Sequence, residues 1–366
     1  MKKYKLVKYC EFDKNASKNY SIIHNIPEAL NVGDITKLDE SSLEDFDFIC
    51  GGSPCQDFSV AGKKNGSVWT CNDCGEQYNP LTIHFSKREY CPKCSSKNIE
   101  KTRSSLLVEW LRVIKHKKPK FGIYENVKNI VGKNFKETTF NLFIEELNEY
   151  GYNTYWEVMN AKDYGIPQNR ERLILVLIRK DVDNGKFSFP NGFELKKRAI
   201  DLLDVTADEK YYIKKEKSDK MFVLLKEKTK TDTSLPKVCE ERVDEVVRFF
   251  KNDLIGTLRT ISCCGDKRVM CPDGRVRKLL PIEALRFMGF DDEDYFKLKE
   301  NGVSDSIIYK QAGNSIVVDV LFYVFKSIYD SMPYLFEDLK VASFFSGIGA
   351  FEKALDKLYK NVIESK

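Results

Sequence analysis

Three short segments of this 366-residue chain carry residue types that can act together on a heterocyclic ring. The first is GGSPCQDFSVAG, which directly follows an apolar run ending near Cys50. Cys55 therefore falls at the carboxyl end of a strand, where α/β sheets place their ligands. A thiolate there can attack an electron-poor carbon, although a single loop cysteine is more often an inert core residue. The second is IYENV, in which Glu125 and Asn126 end a strand that begins near Phe121. A carboxyl group at that place suits general-acid work on a ring nitrogen; the plainer alternative is a solvated acid at a strand terminus. The third, YGIPQNRERLILVLI, alternates Gln168, Arg170 and Arg172 at strand spacing, which would project all three on one face. Two guanidinium groups so placed can orient a carboxylate and hold phosphate or base oxygens.

A separate chemistry is suggested by Cys71-Asn-Asp-Cys74 and Cys91-Pro-Lys-Cys94, which have the spacing of a four-thiolate zinc ribbon with a structural Zn2+ ion. The alternative is four reduced surface thiols. Eleven cysteines in a chain read as intracellular point to metal or catalysis before disulfides, and Cys263, Cys264 and Cys271 form no comparable motif. Near the end of the sequence, SGIGA lies between an apolar run at 341–345 and a helical pattern at 351–358. Small residues there let backbone amides approach an anionic group. A GxG loop alone is weak evidence for any nucleotide, and its place between strand and helix strengthens it.

The elements that must position these residues alternate in type. Strands are expected at Lys5–Cys10, 46–50, 121–124, 155–159, 173–178 and 341–345, and helices at 13–24, 104–115, 138–150, 281–288, 315–329 and 351–358. This α/β rhythm predicts a mostly parallel sheet with helices on both faces. Between about 180 and 280 the rhythm fails and charge rises, so a second, smaller lobe is placed there. Apolar runs are too short to span a bilayer and no signal-peptide core forms, which predicts a cytoplasmic protein without a membrane role. The net charge of +5 permits nucleic-acid binding without demanding it. Lysines crowd 210–230, and Arg259, Lys267, Arg268, Arg275, Arg277 and Lys278 lie close together; a solvated basic face is an equal alternative to a phosphate-binding one.

Taken in order, PCQ, ENV and QxRxR resemble the core motifs of the cytosine-C5 DNA methyltransferase family of bacterial and phage type. Further likenesses span nearly the whole chain: FSGIGAFEKAL to the family's cofactor glycine loop, YCEFDKNA and GDIT to its two acidic positions, and RKLLPIEALRFMGF and QAGNSIVVDV to the motifs that close its catalytic domain. Leu280 stands where the family usually has threonine. The glycine loop comes first in the family and last here, which resembles a circular permutation. Chain ends that meet, with Lys3 near Ile363, are then expected.

The resemblance implies a Rossmann-like catalytic domain from 1–180 and 281–366 and a target-recognition domain at 181–280; the zinc ribbon read from the cysteine spacing is an insert at 67–101, where a typical family member has a shorter connection. It implies transfer of a methyl group from S-adenosylmethionine to C5 of a flipped cytosine in a specific duplex sequence. Cys55 would be the nucleophile, Glu125 the group at N3, Asn126 the residue fixing the loop, and Arg170 and Arg172 the braces. Phe345, Gly347, Ile348, Gly349, Glu11, Phe12, Asp34, Ile35, Pro54, Asn314 and Ser315 would surround the cofactor. The insert, lying near the catalytic loop, is expected to contact DNA. Double-stranded DNA is the expected partner of a monomer, with a cognate restriction endonuclease if the chain serves restriction-modification rather than phage self-protection. The rival readings are a tRNA cytosine-C5 methyltransferase, which generally lacks a long recognition lobe, and a catalytically inactive DNA-binding homologue.

Overall fold

The computed structural model describes residues 4–54, 58, 68–228, 235–241, 247–250, 253–259 and 267–363. The chain opens with strand β1 (Lys5–Cys10), helix α1 (Lys14–His24) and strand β2 (Phe48–Gly51). Asp13 caps α1, accepting from the Asn15 and Ala16 amides. Three short strands follow, β3 (Trp69–Cys71), β4 (Gln77–Tyr78) and β5 (Ile99–Lys101), then helix α2 (Leu107–Lys117), β6 (Phe121–Val127), α3 (Asn141–Glu149), β7 (Tyr152–Asn160), β8 (Gln168–Asn169) and β9 (Glu171–Arg179). Next come α4 (Lys215–Lys228) and strands β10 (Lys237–Glu241), β11 (Val247–Phe249), β12 (Ile255–Gly256), β13 (Lys267–Met270) and β14 (Val276–Lys278). Helices α5 (Pro281–Arg286), α6 (Asp292–Glu300), α7 (Asp305–Asn314) and α8 (Val318–Ser331) precede strand β15 (Lys340–Phe344) and helix α9 (Ala350–Leu358).

Six strands form the main sheet in the order β1-β15-β2-β6-β9-β7. The first four run parallel, and β9 is antiparallel to both its neighbours. Apolar strand residues alternate between two cores. Phe48, Phe121, Ile123, Ile174, Val176, Ile178 and Val341 pack with α8 and α9 on one face. Ile49, Tyr124, Leu173, Leu175, Leu177 and Ala342 pack with α2 and α3 on the other. Burial on both faces explains why 173–178 reads as an unbroken apolar run rather than an alternating one. Gly122 sits where β6 and β2 approach most closely: a Cβ there would lie 2.7 Å from Ile49 Cγ2.

The helices expected at 281–288 and 315–329 appear as α5 and α8, while α6 and α7, both charged and short, were not foreseen. The small lobe is built on the sheet β11-β10-β13-β14, with α4 covering an apolar set of Met221, Leu225, Cys239, Val247, Met270 and Val276. Phe187, Ala199 and Leu202, from the segment leading into it, belong instead to the main core. Among the described residues no helix is long and apolar enough to cross a membrane.

Candidate active site

Two strand ends set the centre of the site. Glu125 on β6 pairs with Ile174 of β9, and Val127 pairs with Arg172. Glu125 and Arg172 thus stand diagonally on one face, and Arg172 Nε lies 3.1 Å from Glu125 Oε1. Burial raises the Glu125 carboxyl above its ordinary range, opposed by the Arg172 and Arg170 guanidinium groups. A half-buried acid held this way keeps a proton more readily than a solvated glutamate, which suits hydrogen-bond donation to a ring nitrogen.

The loop after β2 is tied to this strand end. A Cβ on Gly52 would fall 3.1 Å from Glu125 Oε2, so only glycine lets the loop pass there undisturbed. Asn126, 1% exposed, donates through Nδ2 to the Ser53 carbonyl (3.2 Å) and to the Tyr124 hydroxyl (2.9 Å). Ser53 and Tyr124 hydroxyls share a 2.6 Å hydrogen bond. Beyond the loop's start, Phe58 is fully buried against Phe135, and its carbonyl accepts from Asn129 Nδ2 at 2.6 Å. Cys55 itself lies outside the described residues; Ser53 before it and Phe58 after it are both held. Tyr124 and Asn129 were not anticipated, because their partners become neighbours only when the sheet forms.

The expectation that Gln168, Arg170 and Arg172 share one face is corrected by a break in the strand. Two-residue β8 pairs with β12 of the small lobe, and β9 starts after Arg170. Gln168 donates to the Phe287 carbonyl (2.8 Å) and accepts from the Leu258 amide. Arg170, 3% exposed, donates to the carbonyls of Leu258 (2.9 Å), Gly313 (3.3 Å) and Ser315 (2.6 Å). These two side chains therefore clamp the small lobe and the end of α7 to the sheet. Arg172 is the one that meets Glu125.

At the neighbouring strand ends the glycine loop turns on positive φ values at Phe345 (53°), Gly347 (55°) and Gly349 (81°). Glu11, at the end of β1, accepts from the Gly347 amide (2.8 Å) and the Asp13 amide (2.8 Å). Burial raises the Glu11 carboxyl against these two hydrogen bonds. His24 Nε2 sits 3.0 Å from the Ile348 carbonyl, and a Cβ on Gly349 would collide with that ring. By contrast, a Cβ on Gly347 would meet no atom of the described residues within 4 Å. Asp34 accepts from the Thr36 amide and hydroxyl, Ile35 is buried, and Phe12 is 79% exposed. Asn314 ends α7 on the surface, and Ser315, beside it, is buried.

Two similar tight turns bring four sulfur atoms together. The Gly75 amide donates to the Cys71 carbonyl and the Ser95 amide to the Cys91 carbonyl, each at 2.9 Å. Cys71, Cys74, Cys91 and Cys94 Sγ atoms all lie within 4.8 Å of one another, with Cys71–Cys94 at 3.5 Å and Cys74–Cys91 at 3.7 Å.

The basic run at 259–278 is largely neutralised from within. Arg259 and Lys267 face Glu240, Arg268 pairs with Glu241, and Arg277 forms a fully buried two-bond pair with Glu283. It is not a bare phosphate-binding face. Cys263 and Cys264 lie outside the described residues, and Cys271 is buried.

A parallel sheet with one antiparallel strand, a glycine loop and a buried acid at adjoining strand ends defines a Rossmann-like methyltransferase. The pattern of the family described as C-5 cytosine-specific DNA methylase matches residues 1–73 and 90–330, and the chain belongs to that family. It is 31% identical to the orphan methyltransferase M.SPBetaI of Bacillus phage SPbeta, over 89% of this chain and 92% of that one. It is 38% identical to the type II methyltransferase M2.ScrFI of Lactococcus lactis subsp. cremoris, over 82% and 71% respectively. Among solved structures, the S. pombe Dnmt2 methyltransferase shares the fold with a TM-score of 0.58 and 17% identity, covering 89% of this chain and 91% of that one.

Proposed function

We propose that this DNA cytosine-5 methyltransferase acts on a flipped cytosine in a specific duplex sequence, with Cys55 as nucleophile and Glu125 at N3. The observation that carries this reading is the Glu125–Arg172 pair set against Gly52, three residues before Cys55. The Cys55 thiolate adds to C6, which makes C5 an enamine carbon whose electron pair would bond the methyl group as the S–CH3 bond of the sulfonium breaks and its pair stays on sulfur in a neutral thioether. Glu125 donates to N3 and stabilises the charge that develops there, while Arg172 holds the carboxyl in place. Loss of the C5 proton and expulsion of Cys55 then restore the aromatic ring. Flipping the base costs a few kcal/mol.

S-adenosylmethionine supplies an electrophilic methyl group when bound. The residues present suit it. The exposed Phe12 ring offers a stacking face, and open space at Gly347 leaves room beside the loop's amides. Glu11 retains acceptor capacity for ribose hydroxyls beyond its two amide bonds. Asp34, Pro54, Asn314 and Ser315 are assigned to the same pocket. Residues 181–280 are read as the target-recognition domain, and duplex DNA as the substrate.

The four thiols are read as a structural zinc site. Thiolates about 2.3 Å from a tetrahedral zinc lie ~3.8 Å apart; two of the sulfur pairs here, at 3.5 and 3.7 Å, lie near that figure, and all four atoms fall within 4.8 Å of one another. The chain is also read as circularly permuted. In support, β15 is inserted between β1 and β2, the Tyr4 and Tyr359 rings lie 5.8 Å apart, and the family match stops at 330, ahead of the glycine loop. Lys3, expected near Ile363, lies outside the described residues. A role in phage self-protection or in restriction-modification beside a cognate endonuclease accords with the names of the phage and type II relatives.

The test is transfer of labelled methyl from S-adenosylmethionine to mixed-sequence duplex DNA and, in parallel, to bulk tRNA, for the wild type and Cys55→Ser. Label at cytosine C5 of DNA that vanishes in the variant is expected. Label on tRNA alone would transfer the assignment to RNA, and label on neither would favour an inactive homologue.

A further inference from the structure

We propose that the four-cysteine ribbon anchors the exit of the Cys55 loop, so that metal loading governs the base-reacting half of the site and not cofactor affinity. The inference rests on reading the four thiols as a zinc site. Ahead of Cys55 the loop is fixed by Asn126 and Tyr124 at Ser53, and three residues past it by Asn129 at Phe58. At the exit, the Val68 carbonyl accepts from the Thr102 amide at 3.3 Å. Trp69, 2% exposed, donates through Nε1 to Ser105 Oγ at 2.6 Å, and Lys101 Nζ lies 4.6 Å from its ring. Two residues further on stands Cys71, paired with Ile99 across β3 and β5. The same two strands thus carry the loop exit and the entry to α2 at one end and the thiol cluster at the other.

The ribbon's register has further polar ties in the Asn72 amide on the Asn98 carbonyl (2.9 Å), Asn98 Nδ2 on Asp73 (2.8 Å) and Lys101 Nζ on Glu109 of α2 (2.6 Å). Its strands are three, two and three residues long, too short to be stable alone. Its remaining attachments run to the neighbouring helices. Arg88 forms a buried two-bond pair with Glu146 of α3 and donates to the Pro80 and Ile83 carbonyls, and Phe85 packs edge-on against Tyr150. These contacts seat the ribbon's middle, not the β3–β5 end. A metal bound by all four thiols would lock Cys71 to Cys94 and with them the two strands, since metal binding and local folding are coupled in such modules.

The experiment uses the full chain as purified, with zinc measured per chain, beside Cys94→Ser, which removes an exposed ligand, and Ser105→Ala, which keeps all four thiols but cuts the Trp69 anchor. The readouts are hydrogen exchange at amides 68–71 and 99–102, S-adenosylmethionine affinity by calorimetry, duplex DNA affinity, and kcat at saturation. Cys94→Ser is expected to lose zinc, to lose protection at those amides, and to lower kcat by about 10–100-fold, while the cofactor and DNA affinities hold within about threefold. Ser105→Ala is expected to keep zinc and to lower kcat by a smaller factor, with faster exchange at the same amides. A wild type that holds no zinc would overturn the metal reading itself. Zinc present but dispensable for kcat would overturn only the anchor, as would zinc loss that abolishes DNA affinity with kcat unchanged, which would make the ribbon a DNA-contact element.

Discussion

The two halves of the strand-end face are made of different material. On the β1–β15 side the holding groups are main-chain amides, positive-φ turns and one carboxylate that accepts from two of those amides. On the β2–β6–β9 side they are side chains: the Glu125–Arg172 pair and the Asn126–Ser53–Tyr124 cluster. A site shaped by backbone is broken by adding atoms, and a site shaped by side chains is broken by removing them. Substitutions on the two sides should therefore separate cofactor affinity from turnover.

The largest effect is expected from Glu125→Gln. It retains the shape and loses the proton, so kcat should fall by about 10²–10³-fold with S-adenosylmethionine affinity unchanged in calorimetry. A parallel loss of cofactor binding would break the division between the halves. Next is Gly349→Ala, which meets the His24 ring at a φ of 81°. A left-handed conformation costs a non-glycine residue roughly 1–2 kcal/mol before any clash. Cofactor affinity should drop by at least about tenfold and Tm should fall, whereas an unchanged Tm would show that His24 moves aside freely. Asn126→Ala should come third. It removes the buried donor to the Ser53 carbonyl and the Tyr124 hydroxyl, at about 1–3 kcal/mol, and it should lower kcat while sparing cofactor affinity.

A pH profile sharpens the same contrast. Burial raises the Glu125 carboxyl, so the folded state keeps its proton where the unfolded chain has lost it. For this group folding stability is greatest at acid pH and declines as pH rises from the ordinary carboxylate range through the raised value. The Tm of the wild type relative to Glu125→Gln should accordingly shrink across that window. A flat difference would mean that Arg172 cancels the burial effect in full.

Most of the sheet and the strand-end positions of Glu125 and the glycine loop were legible in the sequence, because both are local. The run 173–178 announces β9, and Asp13 announces the start of α1. Glu125 and Arg172 stand out as motif residues, but their contact depends on the register of β6 against β9, which no local pattern encodes. Arg170 shows the limit most clearly. Alternation places it beside Arg172, yet β12 draws β8 into a second pairing and turns Arg170 toward α7. The basic run at 259–278 misleads for the same reason, since its partners Glu240, Glu241 and Glu283 lie on other elements. The seating of the ribbon on α3 through Arg88 and Glu146 likewise unites residues that have no sequence relation.

The smallest predicted effect tests the cofactor half by subtraction instead of addition. Phe12 is 79% exposed, so its removal costs the folded chain almost no buried surface, and Tm without ligand should stay within about 0.5 kcal/mol equivalent of wild type. Its ring would become covered only when an adenine lies on it, where an aromatic stacking contact is worth roughly 0.5–1.5 kcal/mol. Phe12→Ala should therefore weaken S-adenosylmethionine by about two- to tenfold in calorimetry and leave kcat at saturation unchanged. Full retention of affinity would place the adenine elsewhere and remove the aromatic wall assigned to the pocket.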